Sequence, residues 1–307
     1  PSSRTAALAV MEPISMPAVF WETSIASPKG PVIRFQTFLW VAKTPAYGKK
    51  KGVQHDRWRY YERGVRKKVG MAIRDYDMIR PKDRVIVAVS GGKDSLVLLK
   101  VLADLRRAAP IDFEILPLHI RTGFEDGFER IAAWADQTLG LVIREVRTDI
   151  DKILSEVSDP DKSVCALCSR LRRGHLYSLA QEMSAASIAL GHTRDDIVET
   201  FLLRCLFTGQ LGAMRPARLS NDGRNRVIRP LAYCPAELIE RYFAFLELAP
   251  VVNNCPIRID GKRAMVRGLL KDLEKDNPKA RASLFAALGN IDMKSLCVRE
   301  GHDAHTH

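Results

Sequence analysis

An apolar run rich in β-branched residues, Val85-Ile86-Val87-Ala88-Val89, stops at Ser90-Gly91-Gly92-Lys93-Asp94-Ser95, and Leu96-Val97-Leu98-Leu99 opens a helical run at once. The pattern predicts a buried strand, a tight glycine turn and a helix. Further along, the spacing predicts strands over 111–120, 141–148 and 187–192 and a short one over 227–231. Helices are predicted over 124–139, 169–183, 195–207 and 235–246, and two charged helical runs over 262–288. Strands alternating with helices predict an α/β fold: a parallel twisted sheet with helices on both faces, Rossmann-like, with helical additions at its N- and C-terminal ends. Ligands of such sheets bind beyond the carboxyl ends of the strands. Ser90, His119 and Gly191 all fall at such ends, so three motifs converge on one crevice.

Before the first strand, Trp58, Tyr61, Val65, Val69 and Ile73 recur at helical spacing. Between Lys49 and Lys68 lie nine Lys or Arg residues against only Asp56 and Glu62. This is an amphipathic helix whose basic face is either solvated or in contact with RNA phosphates. Residues 1–52 read differently: they are rich in Pro, Ser and Ala, do not begin with Met, and carry Glu12 and Glu22, which argue against a transit peptide. A poorly ordered extension is expected there, with an accessory segment around Trp21 and Trp40 as the alternative. The expected organisation is thus an extension (1–52), a basic helical region (53–78), the α/β unit with the cysteine pair (79–248), a helical region with a further cysteine (249–290) and a tail (291–307).

Composition narrows the class. With 307 residues, 46% of them hydrophobic, the chain can bury a sizeable core. Lys plus Arg number 48 against 36 Asp plus Glu, a net charge of +12, which favours a polyanionic partner over a basic enzyme with no nucleic acid. Six cysteines in this length do not form a secreted disulfide scaffold. No apolar run reaches the roughly 18–20 residues that span a bilayer. A reduced, cytoplasmic protein with no membrane partner is expected.

The string Ser90–Ser95 carries the first chemistry. Gly91 and Gly92 can take positive φ and let backbone N–H groups approach an anion. The new helix aims its N-terminal N–H groups and positive dipole end at the same place. Lys93 adds a charge, and Ser90 and Ser95 add hydroxyls. A plain strand-to-helix turn would not need this combination; a phosphate cradle would. It is not the usual nucleotide P-loop, whose four-residue spacer and Gly-Lys-Ser/Thr ending are missing.

Cys165-x-x-Cys168 stands before the predicted 169–183 helix with its Arg170, Arg172 and Arg173. Such a pair is redox-active, half a metal site or incidental. A zinc ribbon needs a second pair, which is absent. Cys255, followed by Pro256, is the remaining candidate, and proline after a ligating cysteine recurs in iron–sulfur sequences. Zinc, with His192 or Cys297 as fourth ligand, is the alternative. Cys205 reads as core, Cys297 as incidental, and Cys234 ends a strand. In Gly191-His192-Thr193-Arg194-Asp195-Asp196 the two acids either cap the following helix or bring a carboxylate to a ligand.

Ser90–Ser95 resembles the PP-loop of the ATP pyrophosphatases, which cleave ATP between its α and β phosphates. Cys165–Gly174, Ala189–Asp196 and Val227–Cys234 are similar, in one order and register, to the tRNA 2-thiocytidine biosynthesis family, over about Trp58 to Leu284. The resemblance implies ATP and Mg2+ at Ser90, Gly91, Gly92, Lys93, Asp94, Ser95, His119 and Gly191. It implies one of Asp195 and Asp196 near Mg2+ or the base, and Asp94 would position the metal; Arg172 and Arg173, on the helix after the cysteines, either face the α-phosphate or RNA or are surface charge. It also implies a [4Fe-4S] cluster on Cys165, Cys168 and Cys255, with one iron open to sulfur. The activity implied is tRNA thiolation: a pyrimidine C2 oxygen is adenylated and replaced by sulfur. The chain departs from the family pattern in having Cys255 where a second C-x-x-C stands, which leaves the base open between 2-thiocytidine and 2-thiouridine. Partners implied are tRNA and a sulfur donor, either a cysteine desulfurase system or sulfide; a homodimer is compatible. The rivals are a cluster-free PP-loop ligase or amidotransferase and a zinc-stabilised RNA-binding module.

Overall fold

The run Arg84–Ala88 forms β1, whose alternate side chains enter two different cores. Val85 and Val87 join one buried cluster with α1 (Val53–Asp75), α2 (Lys93–Ala108) and the later helix over 236–243, whereas Ile86 joins a second cluster on the opposite face. That period-2 division is what a strand covered on both sides requires. α2 buries Ser95–Leu99 and Val101–Ala103, so it is apolar on most of its surface and sits deep in the first cluster. The structure is a computed structural model and describes residues 53–156, 164–255 and 261–297.

The remaining elements follow in order: β2 (Glu114–Arg121), β3 (Glu125–Asp126), α3 (Phe128–Trp134) with a π-turn over Ala135–Leu139, β4 (Arg144–Arg147), α4 (Ile150–Glu156), α5 (Val164–Glu182), β5 (Ser187–Ala189), α6 (Arg194–Thr208), β6 (Ala217–Leu219), β7 (Arg226–Ile228), α7 (Ala236–Phe243), β8 (Val252–Asn253), α8 (Gly261–Asp276) and α9 (Ala280–Ala287). Six strands form one sheet in the order β4-β2-β1-β5-β7-β6, parallel except for β6, which runs antiparallel to β7 at the edge. From β1 the chain winds outward to β2 and β4, then returns to β5 and winds the other way. The switch point therefore lies between β1 and β5, and a crevice opens beyond their carboxyl ends.

The expected α/β architecture is present, with local differences. The predicted 124–139 helix starts at Phe128, because Gly127 takes φ +78° and Glu125–Asp126 pair with β8. The predicted 169–183 helix starts at Val164 and so includes both cysteines of the C-x-x-C pair, since nothing from Cys165 to Ser169 breaks a helix. α4 and β6 were not anticipated. The stripe predicted on α1 is buried at Val65, Val69 and Ala72, with Trp58, Tyr61 and Ile73 packed beside it. Arg226 closes the end of α1, donating to the carbonyls of Tyr76 at 3.2 Å and Met78 at 3.3 Å. Among the described residues no helix is long and apolar enough to cross a membrane. The expected N-terminal extension and most of the tail lie outside the described residues.

The C-terminal helices attach to α6 through a third apolar cluster, Val198, Val266 and Leu270. At its edge Glu199, only 4% exposed, accepts from Arg263 at 3.2 Å and Arg267 at 2.9 Å. Removing this carboxylate takes one shared partner from two cations at the edge of an apolar seam. Glu199→Ala is expected to destabilise the protein by about 1–3 kcal/mol, seen as a lower urea midpoint with an unchanged m-value; a midpoint equal to wild type would refute that role.

Candidate active site at the ends of β1 and β5

The loop after β1 closes on itself. Ser90 N–H and Ser90 Oγ each lie 3.2 Å from Ser95 Oγ, and Ser95 Oγ donates to the Gly92 carbonyl at 2.8 Å. Gly91 takes φ +82°, as the turn was expected to need, whereas Gly92 is extended at φ −77°, ψ 156° and serves as N-cap of α2. No side chain caps that helix. Its first N–H groups have no carbonyl one turn earlier to receive them, so they face the crevice together with the dipole. Lys93 reaches across to pair with Glu240 of α7.

Gly91 is also required by packing. A Cβ there would stand 2.4 Å from Val251 Cγ2, and the Val251 N–H donates to the Gly91 carbonyl at 3.0 Å. Gly191 has a comparable task. Its own Cβ would stand 3.0 Å from Ser95 N and 3.1 Å from Asp94 C. The close approach it permits is to the backbone at the start of α2, directly after the cradle.

His119, expected among the cofactor-binding residues, is buried near the end of β2. It has no accessible surface, stacks on Phe128 with ring centroids 3.7 Å apart, and donates from Nδ1 to the Val89 carbonyl at 2.7 Å. It therefore supports the strand end from behind the cradle. Cys234 is fully buried and its thiol is pushed up to about 12 by burial, so it is core. Cys205, expected in the core, is half-buried on α6, and Cys297 is exposed.

The three acids near the cradle divide by environment. Asp196 completes a capping box with Thr193, accepting from Thr193 N–H at 2.8 Å and Oγ1 at 2.9 Å, and faces Arg263 at 3.8 Å. Asp195 accepts from Ala236 N–H at 2.8 Å, at the start of α7, and faces Arg281 at 3.4 Å. Both therefore act as caps and ion-pair partners. Asp94 differs: its Oδ1 is buried with no hydrogen-bond partner. Burial, then the charge of Asp196, pushes its carboxyl up to about 6 against the pull of Lys93. A buried, uncompensated carboxylate oxygen beside a second acid is what a divalent cation would balance.

Sequence reasoning passed over Glu240, His192 as part of the crevice, and Arg229. Burial first, then Arg229, holds the His192 imidazole down to about 4, and its Nδ1 has no hydrogen-bond partner. Arg229, almost fully buried at the end of β7, donates from Nη1 to the Arg215 carbonyl at 2.6 Å; burial lowers its guanidinium to about 10. For His192 the signal was its place after a strand; Glu240 carries no local signal.

Cys165 and Cys168 lie in the first turns of α5, three residues apart and so on one face, with Arg172 a further turn along the same face. Cys165 is exposed and Cys168 half-buried. Cys255 follows β8, whose residues pair with β3 in the register Glu125↔Asn253 and Asp126↔Val252. The Asn254 N–H donates to the Phe124 carbonyl at 3.0 Å, and Phe124 packs on the same apolar cluster as Val164, Leu167 and Cys168. Cys255 is four residues beyond Val251, so its Cα lies within about 14 Å of that of Val251 on Gly91. Among the described residues no three His, Cys, Asp or Glu side chains are grouped closely enough to hold a metal ion. The donor set nonetheless suits iron: three thiols, none of them fully buried.

Two outcomes test this geometry. The folded pKa of Asp94 lies above its unfolded value, so its ionisation weakens the metal-free fold as pH rises from about 4 through about 6. Asp94→Asn is expected to raise Tm by roughly 2–4 °C at pH 7.5 and leave it unchanged at pH 4; an equal shift at both pH values would refute the buried-charge account. Gly191→Ala must push the start of α2, costing about 1–3 kcal/mol and weakening ATP binding; wild-type affinity in calorimetry would show that the loop has room.

Comparison with known proteins places the chain in a family. The PP-loop domain family matches residues 62–273. The tRNA-cytidine(32) 2-sulfurtransferase of Geotalea uraniireducens (strain Rf4) is 40% identical over 237 residues, 76% of this chain and 94% of that protein. The protein of the same name from Alkalilimnicola ehrlichii is 42% identical over 237 residues, 76% of this chain and 75% of its own. Among solved structures, the U34-tRNA thiolase from Methanococcus maripaludis, with its [4Fe-4S] cluster, shares the fold at a TM-score of 0.62 and 22% identity, covering 77% of this chain and 79% of that one. Its fold and its extended identity to these enzymes make this chain a member of the tRNA-cytidine(32) 2-sulfurtransferase family of PP-loop proteins.

Proposed function

We propose that this protein is an ATP-dependent tRNA sulfurtransferase that converts cytidine 32 of tRNA to 2-thiocytidine. One observation carries the reading: the segment leading to Cys255 is clasped onto Gly91 of the phosphate cradle, so triphosphate binding and a thiol share one stretch of crevice.

The α2 N–H groups, Lys93 and the exposed Ser90 hydroxyl bind the β and γ phosphates of ATP, and Ser95 Oγ braces the loop by donating to the Gly92 carbonyl. The cytosine O2 attacks the α-phosphorus. The O2–P bond forms, the bond to the β-phosphate oxygen breaks, and pyrophosphate stays in the cradle. Asp94, with the charge of Asp196 beside it, would hold a divalent cation such as Mg2+, whose charge would offset that of the departing pyrophosphate. Sulfide then adds at C2, the C2–O bond breaks and AMP leaves. Arg172 faces the α-phosphate or the adjoining RNA from the thiol-bearing face of α5. When bound, a [4Fe-4S] cluster on Cys165, Cys168 and Cys255 supplies an iron with a position open to sulfur. The base must leave its stack, which costs a few kcal/mol and least in a single-stranded loop. Sulfur arrives from a cysteine desulfurase system or as sulfide, and a cytoplasmic location is part of the proposal. The uncovered stripe Met265, Leu269 and Leu273 on α8 supports pairing with a second copy.

Purified without oxygen, the protein is expected to contain iron and to form AMP from ATP only with tRNA, and the tRNA should gain one sulfur at cytidine 32 by nucleoside mass spectrometry. Cys255→Ala should abolish thiolation and leave ATP binding nearly intact. Full activity in a colourless, zinc-loaded protein would eliminate the cluster, and AMP formation indifferent to tRNA would eliminate the thiolase.

A further inference from the structure

The basic face of α1 takes no part in the chemistry above. Arg59, Arg63 and Lys67 are exposed and stand four residues apart, so they form one stripe with charges about 6 Å from one another along the helix axis. With Tyr60, Gly64, Lys68 and Leu238 of α7 they line a groove of about 650 Å³. The Tyr60 ring is 72% exposed. Arg59, Arg63, Lys67 and Lys68 make no hydrogen bond or ion pair with another described residue. Nearby acids are engaged elsewhere: Glu62 faces Arg66, and Glu237 holds Arg241, which also donates to Tyr61 Oη. Like charges at this spacing oppose helix formation, and among the described residues no acid lines the groove to relieve them.

The groove adjoins the crevice through α7. Leu238 forms part of the groove, and two residues on, Glu240 pairs with Lys93 of the phosphate loop. At the other end Lys68 is close enough to act electrostatically on Cys234, whose carbonyl accepts from Arg194 N–H at the start of α6 at 3.0 Å.

We propose that this groove binds the phosphate backbone of the substrate tRNA, with Arg59, Arg63 and Lys67 each facing one phosphate and Tyr60 stacking on a base. The inference rests on the tRNA-thiolation reading. Row charge without base-edge donors gives affinity and register rather than sequence choice, and an exposed aromatic ring suits an unstacked base.

The test compares the full-length protein with Arg59→Gln/Arg63→Gln/Lys67→Gln by filter binding of tRNA across a salt series. Each phosphate contact contributes roughly 0.7–0.9 to the slope of log affinity against log salt. The triple variant is expected to lower that slope by about 2–3, raise KM for tRNA at least tenfold, and leave ATP affinity and kcat at saturating tRNA unchanged. Lys67→Gln alone should lower the slope by about 0.7–0.9, which keeps the test available if the triple variant unfolds. Arg66→Gln, on the same helix but facing Glu62, should leave it unchanged. Wild-type slopes in both groove variants, or an Arg66→Gln loss equal to that of Lys67→Gln, overturn the groove. A wild-type protein that binds no tRNA at any salt concentration overturns the thiolase reading itself.

Discussion

The close contact between Val251 and Gly91 is the constraint on which the site depends. The phosphate loop must turn at positive φ, and the only residue that fits there also leaves space for the Val251 side chain. The strand segment that leans on it is held on its far side by the two-residue ladder to β3 and by the Asn254–Phe124 hydrogen bond. Cys255 is therefore fixed from both directions, by the cradle and by the apolar cluster under α5. Displacing Gly91 moves Val251, and the effect reaches the thiol in four residues.

Electrostatics concentrate on one atom. Asp195 and Asp196 are satisfied by helix starts and by arginines from α8 and α9, so their negative charges are locked in place. Asp94 receives the repulsion without the hydrogen bonds. The C-terminal helices add to this at a distance: burial does most to push the Asp94 carboxyl up, and Arg263 faces Asp196, whose charge adds to it. A cation arriving at Asp94 relieves a cost that the rest of the fold maintains.

Much of this was legible in the chain. Strand, turn and helix at Val85–Leu102 follow from local chemistry, and the alternation of elements implies the crevice. Other contacts depend on elements distant in sequence: Gly191 stands against the backbone of Ser95 and His119 stacks on Phe128, and a place at a strand end announces neither neighbour. β3 and β8 are two residues each and pair across more than 120 positions, so neither carries a periodic signal. α5 starts at Val164 rather than at 169, because Val164–Cys168 contains no breaker and the C-x-x-C pair continues the helix. That correction helps the chemistry, since a helix sets Cys165, Cys168 and Arg172 on one face without further constraint.

The pairing of Lys93 with Glu240 links the two anionic ligands proposed for this protein. Both side chains are substantially exposed, and such a pair contributes at most about 1 kcal/mol. A triphosphate offers Lys93 more charge than one carboxylate, within reach of the α2 N–H groups, so the exchange is favourable with little to break. The carboxylate released is on α7, two residues from the floor of the basic groove on α1. Nucleotide on one side of α7 and RNA phosphates on the other then neutralise opposite flanks of the same short helix. Until then the Lys93 charge is partly neutralised by Glu240, on the same short helix that supplies Leu238 to the groove.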